Sequence, residues 1–179
     1  DGVLVICHDE TIDRTSDGSG AISELTFDQL RRLDFSNGRN GYARVPIPTL
    51  AEVLDLVRGT DKVVDIELKN SVVRYPGMEE QVDALVAGFG LTDQVWYSSF
   101  NHLSLLHLAE LGSPVARGVL YVEQLVRPWE YAAGFGVDAL HPLATTVDAG
   151  LVEAAHAAGI RVHPWTVDDP RAIVALAAA

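Results

Sequence analysis

The chain has 179 residues, 48% hydrophobic and 21% charged, a balance that suits one soluble globular domain and excludes intrinsic disorder. Its 13 basic residues against 25 acidic ones leave a net charge of -12, which excludes sequence-independent binding to nucleic acid or to an anionic membrane surface. The single cysteine, Cys7, excludes an internal disulfide or a cysteine zinc site, and no apolar run approaches the roughly 18 residues of a membrane span.

The opening residues 1–7 (DGVLVIC) read as a strand that delivers His8 and Asp9 into a loop rich in Asp, Thr, Ser and Gly. Thr26 with Gln29 makes a capping box before FDQLRRL, and Thr49 with Glu52 makes another before AEVLDLV, with Gly59 beyond its end. Further strands are predicted at 63–69 (VVDIELK), 95–100 (VWYSSF), 116–121 (ARGVLY), 138–141 (DALH) and 160–167 (IRVHPWTV). Among the helices between them, HLSLLHLAEL starts after Asn101 and closes at Gly112, and AGLVEAAHAA starts after Asp148 and closes at Gly159. Asp169 with Pro170 starts a last helix that runs into AIVALAAA. Strands alternating with helices predict a parallel α/β fold. Five such units are too few for a (β/α)8 barrel of about 250 residues. A doubly wound open sheet needs a Gly-rich turn leading into a long helix, which the GSG at 18–20 does not supply.

In DIELK, period two puts Asp65, Glu67 and Lys69 on one face of the strand. Burying three charges together is costly unless they pair or bind an ion. Glu67 suits Mg²⁺ or Ca²⁺, and Lys69 suits a phosphate oxygen. An edge strand with a solvated charged face is the competing reading, and the pattern alone leaves both open. His8, at a strand end and followed by Asp9, is a candidate general acid or base. His102, His107 and His156 read as structural, whereas His141 and His163 precede prolines near strand ends and stay as pocket candidates. Phe100 and Trp165 are candidates for an apolar pocket wall. Asp13 to Asp17, Arg14 included, form a turn-rich stretch without metal-loop spacing and read as structural.

The ordered set DGVLVICHDETIDRTSDGSG, IPTLAEVL, DIELK, SSFN and WTVDD resembles the glycerophosphodiester phosphodiesterase family, and the resemblance runs from Asp1 to about Pro170. It implies a TIM-like barrel with a metal-dependent site that hydrolyses a small phosphodiester to sn-glycerol 3-phosphate and an alcohol. By the same resemblance His8 is one of two catalytic histidines, Glu67 a metal ligand and Lys69 a substrate contact. The divalent metal is Mg²⁺ or Ca²⁺, and it would offset the repulsion between substrate phosphate and an acidic protein.

Family members carry a His-Arg-Gly strand and a Glu-x-Asp strand before the matched stretch, and a Thr-Asp pair after its last helix. The chain is therefore expected to be a single catalytic domain, residues 1–179, truncated at both ends, an incomplete barrel that is inactive and poorly folded alone. Its location is expected to be cytoplasmic rather than secreted. Two other readings accompany this one: an aldolase-type barrel enzyme forming a Schiff base on Lys69, and a non-catalytic barrel-derived binding module.

Overall fold

In the computed structural model, residues 1–177 are described, and they divide into two compact units: residues 1–62 with 69–91, and residues 63–68 with the chain from 92 onward. The α-helices of the first unit are α1 (Phe27–Leu30), α2 (Leu50–Val57) and α3 (Met78–Phe89), and a short 3-10 turn at Ile22–Glu24 precedes them. Both predicted capping boxes form. The Gln29 side chain accepts from the Thr26 N–H at 2.8 Å, and the Glu52 side chain from the Thr49 N–H at 2.8 Å, while each threonine hydroxyl accepts from its partner's N–H. Helix α2 packs on α3, and Leu54, Val82 and Val86 are buried. A second cluster gathers Ile12, Leu30 and Ile47, with Val5 and a half-buried Cys7 at its fringe.

Residues 1–7 are not a strand. They make one bridge, Val5 to Thr49, flanked by bonds from the Ile6 N–H to the Pro48 carbonyl (2.8 Å) and from the Leu50 N–H to the Leu4 carbonyl (2.9 Å). The partner segment carries Pro46 and Pro48, which have no N–H to continue a ladder.

The second unit contains β1 (Val64–Glu67), β2 (Val95–Ser99), β3 (Ala116–Tyr121), β4 (Ala139–Pro142) and β5 (Arg161–Val162). All pair in parallel, in chain order, with β1 and β5 at the edges. Its helices are α4 (His102–Glu110), α5 (Pro128–Ala133), α6 (Ala149–Ala157) and α7 (Pro170–Ala177). The final residues of the predicted last helix, 178 and 179, lie outside the described ones. An open parallel sheet in sequence order, with helices between its strands, is an α/β succession of the TIM-like (β/α)8 type, incomplete in this chain. Among the described residues no helix is long and apolar enough to cross a membrane.

Several boundaries differ from the pattern-based ones. The DIELK strand ends at Glu67, so Lys69 lies beyond it, and β5 is two residues long instead of spanning 160–167. Its ladder nevertheless continues as bonds from the His163 N–H to Leu140 and from the Trp165 N–H to Pro142; Pro164 between them has no N–H to donate. Asn101 opens α4 without capping it, because its side chain donates to the Ser104 hydroxyl at 2.7 Å.

Candidate active site

In the first unit the extended chain at 1–7 leads to His8, whose side chain is 74% exposed. Its Nδ1 stands 2.6 Å from Asp9 Oδ1. Arg14 grips the same carboxylate with two bonds, Nε to Oδ2 at 2.6 Å and Nη2 to Oδ1 at 3.0 Å. The Arg14 guanidinium, and then the bond to His8, hold the Asp9 carboxyl far below the usual carboxylate range. The loop that carries Arg14 folds back on itself around Ile12. The Ile12 N–H donates to the Gly20 carbonyl (3.0 Å), and the Ser16 N–H and hydroxyl both donate to the Ile12 carbonyl. Ile12 is fully buried. Lys69 lines a cavity of about 320 Å³ that Asp9, Glu10 and Tyr75 also line. Burial, followed by the Glu10 charge, pushes the Tyr75 hydroxyl up.

In the second unit, register places Asp65 beside Trp96, Glu67 beside Ser98, Ser98 beside Gly118, and Leu120 beside His141. Residues level in a parallel ladder share a face, so one face carries Asp65, Glu67, Gly118 and His141. The opposite face carries the buried side chains of Ile66, Tyr97, Val119 and Leu140, with Ser99 and Arg117 level with them. Asp65 and Glu67 therefore alternate with buried apolar neighbours as the period-two reading requires. Loss of water around the Asp65 carboxyl pushes its pKa up, the Glu67 charge adds to this, and a hydrogen bond with Ser98 opposes it.

His141 is 4% exposed. Its Nε2 lies 3.1 Å from His163 Nδ1, and its Nδ1 lies 3.6 Å from Asp65 Oδ2, a separation longer than a hydrogen bond. Burial, with the neighbouring His163, pushes His141 down to about 4, so both rings of the pair meet as neutral imidazoles near pH 7. Beyond them, Trp165 donates its indole N–H to the His141 carbonyl at 2.8 Å and meets Phe100 edge to face, with centroids 5.6 Å apart. Phe100 also borders an open groove of about 580 Å³ lined by His102, Tyr121, Glu123 and Tyr131. His102 is structural, as expected: its Nε2 bonds the Leu120 carbonyl and its Nδ1 the Tyr131 hydroxyl, each at 2.8 Å.

The predicted site residues thus distribute as His8 and Lys69 in the first unit, and Glu67, Phe100 and Trp165 in the second, where Phe100 and Trp165 touch. Sequence reasoning missed the grip of Arg14 on Asp9, although an arginine five residues beyond an acidic residue in a turn-rich loop was its visible trace. It also left unpaired the two histidines that meet; their trace was the repeated His-Pro step at 141–142 and 163–164.

Parallel strands in chain order with helices between them, and a sheet face that carries carboxylates, are features of a TIM-like barrel. The chain belongs to the glycerophosphoryl diester phosphodiesterase family, a family of hydrolases whose sequence model matches residues 1–179. It is 37% identical to a glycerophosphodiester phosphodiesterase of Caldanaerobacter subterraneus subsp. tengcongensis, over 94% of this chain and 70% of that protein. It is 34% identical to a glycerophosphodiester phosphodiesterase of Bacillus altitudinis, over 97% of this chain and 72% of the relative. Among solved structures it resembles an Oleispira antarctica phosphodiesterase in complex with the product sn-glycerol-3-phosphate, with a TM-score of 0.83, 28% identity, and coverage of 99% of this chain and 72% of the other. Membership in a hydrolase family displaces the aldolase-type and non-catalytic readings.

Proposed function

We propose that the protein hydrolyses glycerophosphodiesters to sn-glycerol 3-phosphate and an alcohol, with a divalent metal, Mg²⁺ or Ca²⁺. Family membership over residues 1–179 carries the reading, and the likeness to a phosphodiesterase holding sn-glycerol-3-phosphate supports the choice of product. In the reaction a water oxygen bonds to phosphorus, the bond from phosphorus to the alcohol oxygen breaks, and the departing alkoxide gains a proton. His8 serves as one of two catalytic histidines, exchanging a proton through Nε2, the ring atom opposite the Asp9 contact. Lys69 holds a phosphoryl oxygen as a point charge. Phe100 and Trp165 form an apolar wall against the carbon portion of the substrate.

For the metal, Glu67 supplies a carboxylate of the type that hard cations prefer. Among the described residues no group of three His, Cys, Asp or Glu could hold a metal ion, so these residues alone do not make up a centre. Glu67 is accordingly proposed as one ligand, and no step is assigned to the cation beyond offsetting charge on the phosphoryl oxygens. A cytoplasmic location is part of the same proposal, in keeping with a chain that has one, unbridged cysteine.

The test is release of sn-glycerol 3-phosphate from a glycerophosphodiester by the native protein, before and after chelation and with Mg²⁺ or Ca²⁺ restored. His8→Ala and Glu67→Ala are each expected to lower the rate by at least about 10²-fold. An unchanged rate in either variant would remove that residue from the mechanism, and full activity in excess chelator would remove the metal.

A further inference from the structure

We propose that Asp9 and Arg14 are positioning residues for His8: Arg14 fixes the Asp9 carboxylate, and that carboxylate holds the imidazole through Nδ1 so that Nε2 faces the substrate. The inference rests on the reading of His8 as an acid–base group.

Three observations carry it. Both Asp9 oxygens are engaged, Oδ2 by Arg14 Nε, and Oδ1 by Arg14 Nη2 and by His8 Nδ1. A carboxylate gripped by a guanidinium fork stays ionised and can only accept, so the hydrogen of the 2.6 Å contact belongs to His8 Nδ1. The neutral ring then carries its lone pair on Nε2, and the protonated ring offers its second N–H there; the bond made by one nitrogen sets the role of the other. Finally, Arg14 is itself anchored. Its loop is pinned at Ile12, which is fully buried, and at Asp17, whose N–H donates to the Asp34 carbonyl (3.1 Å) while its side chain accepts from the Asp34 N–H (2.8 Å).

A surface ion pair of this kind adds little to stability, and its contribution here is orientation. His8 is 74% exposed, so burial does little to fix its ring and the 2.6 Å contact with Asp9 does more. An orienting group behind an acid–base residue is a recurrent arrangement in hydrolytic sites.

The experiment combines ¹⁵N NMR of histidine-labelled native protein with steady-state hydrolysis of a glycerophosphodiester. Wild type is expected to show His8 as the Nδ1–H tautomer when neutral, and Asp9→Ala to lose that preference. Asp9→Asn should lower kcat by about 10²-fold with KM within about 2-fold, because geometry and tautomer are lost while binding is not. Arg14→Ala should fall in the same direction, Arg14→Lys should recover part of the loss, and Asp9→Asn combined with Arg14→Ala should be no worse than Asp9→Asn alone. If an Asp9 variant does not fold, Arg14→Ala gives the same reading, since among the described residues the guanidinium bonds Asp9 through both Nε and Nη2. A wild-type His8 in the Nε2–H form, an unchanged kcat in Asp9→Asn, or additive losses in the double variant would overturn the proposal. The two readings separate at His8→Ala: an unchanged rate there removes His8 from catalysis and its positioning residues with it, whereas an inactive His8→Ala beside an unlocked tautomer removes the positioning alone.

Discussion

Replacing Gly118 by alanine tests how tightly the polar sheet face is packed. Gly118 lies on β3, between Ser98 on β2 and Ala139 on β4. A Cβ at this position would stand 2.2 Å from His141 Nε2, 2.4 Å from Cδ2 and 2.7 Å from Cε1. Carbon contacts settle near about 3.5 Å, so the ring would have to retreat by about 1 Å or more. It has little room, being 4% exposed, and retreat breaks the 3.1 Å contact with His163. Gly→Ala at an unstrained position gains about 0.4–1 kcal/mol through the unfolded chain. Overpacking costs about 1–3 kcal/mol and a lost hydrogen bond about 1 kcal/mol, so the net change is a loss of about 2 kcal/mol. For a chain of this length that corresponds to a Tm lower by about 4–8 °C. Urea unfolding and a thermal melt measure it directly. Gly118→Ala combined with His141→Ala should lose less than the sum of the single changes, because the Cβ then occupies the space the ring leaves. A Gly118→Ala protein as stable as wild type, or strict additivity in the double variant, would refute the reasoning.

The low proton affinity of buried His141 makes stability depend on pH. Its pKa is about 4 folded against an ordinary 6.5, so the unfolded chain takes up a proton between these values that the folded chain refuses. The contribution is complete above pH 6.5, is lost as the pH falls toward 4, and amounts to about 3 kcal/mol. Urea midpoints at pH 7.5 and pH 5 should therefore separate more in wild type than in His141→Gln; equal separations would contradict the assignment. Thr49→Ala removes one capping box and should cost about 1 kcal/mol in urea unfolding, with no loss read as a sign that the cap is redundant. Lys69→Met is expected to raise KM for a glycerophosphodiester by about 10-fold, the weight of about 1.4 kcal/mol of phosphate binding; an unchanged KM would place the phosphate elsewhere.

Local chemistry was legible in the sequence and long-range pairing was not. The Thr26 and Thr49 caps form because every atom they need lies within four residues. Helix α3 escaped notice because it begins at Gly77, in a left-handed conformation with φ 78° and no side-chain cap to announce it. Helix α5 likewise starts after Arg127, a non-glycine residue at φ 50°. Alternation in DIELK located the polar face correctly, yet nothing in that segment could reveal that His141, on a strand three places away in the sheet, would stand near Asp65. Residues 1–7 have the composition of a strand, but the segment opposite them carries Pro46 and Pro48, which have no N–H to extend the single bridge into a ladder.

The buried anchor of the Arg14 loop has a consequence for any survey of this protein by random mutagenesis. Ile12 packs on Leu30 and Ile47, so truncating either of those residues leaves a void beneath the loop that aims Arg14 at Asp9. Variants scored only by turnover would then flag Leu30 and Ile47 as though they met substrate, although neither has a reactive group. Scoring abundance and turnover side by side would separate these floor residues from His8, whose loss should silence the reaction while leaving the amount of folded protein unchanged.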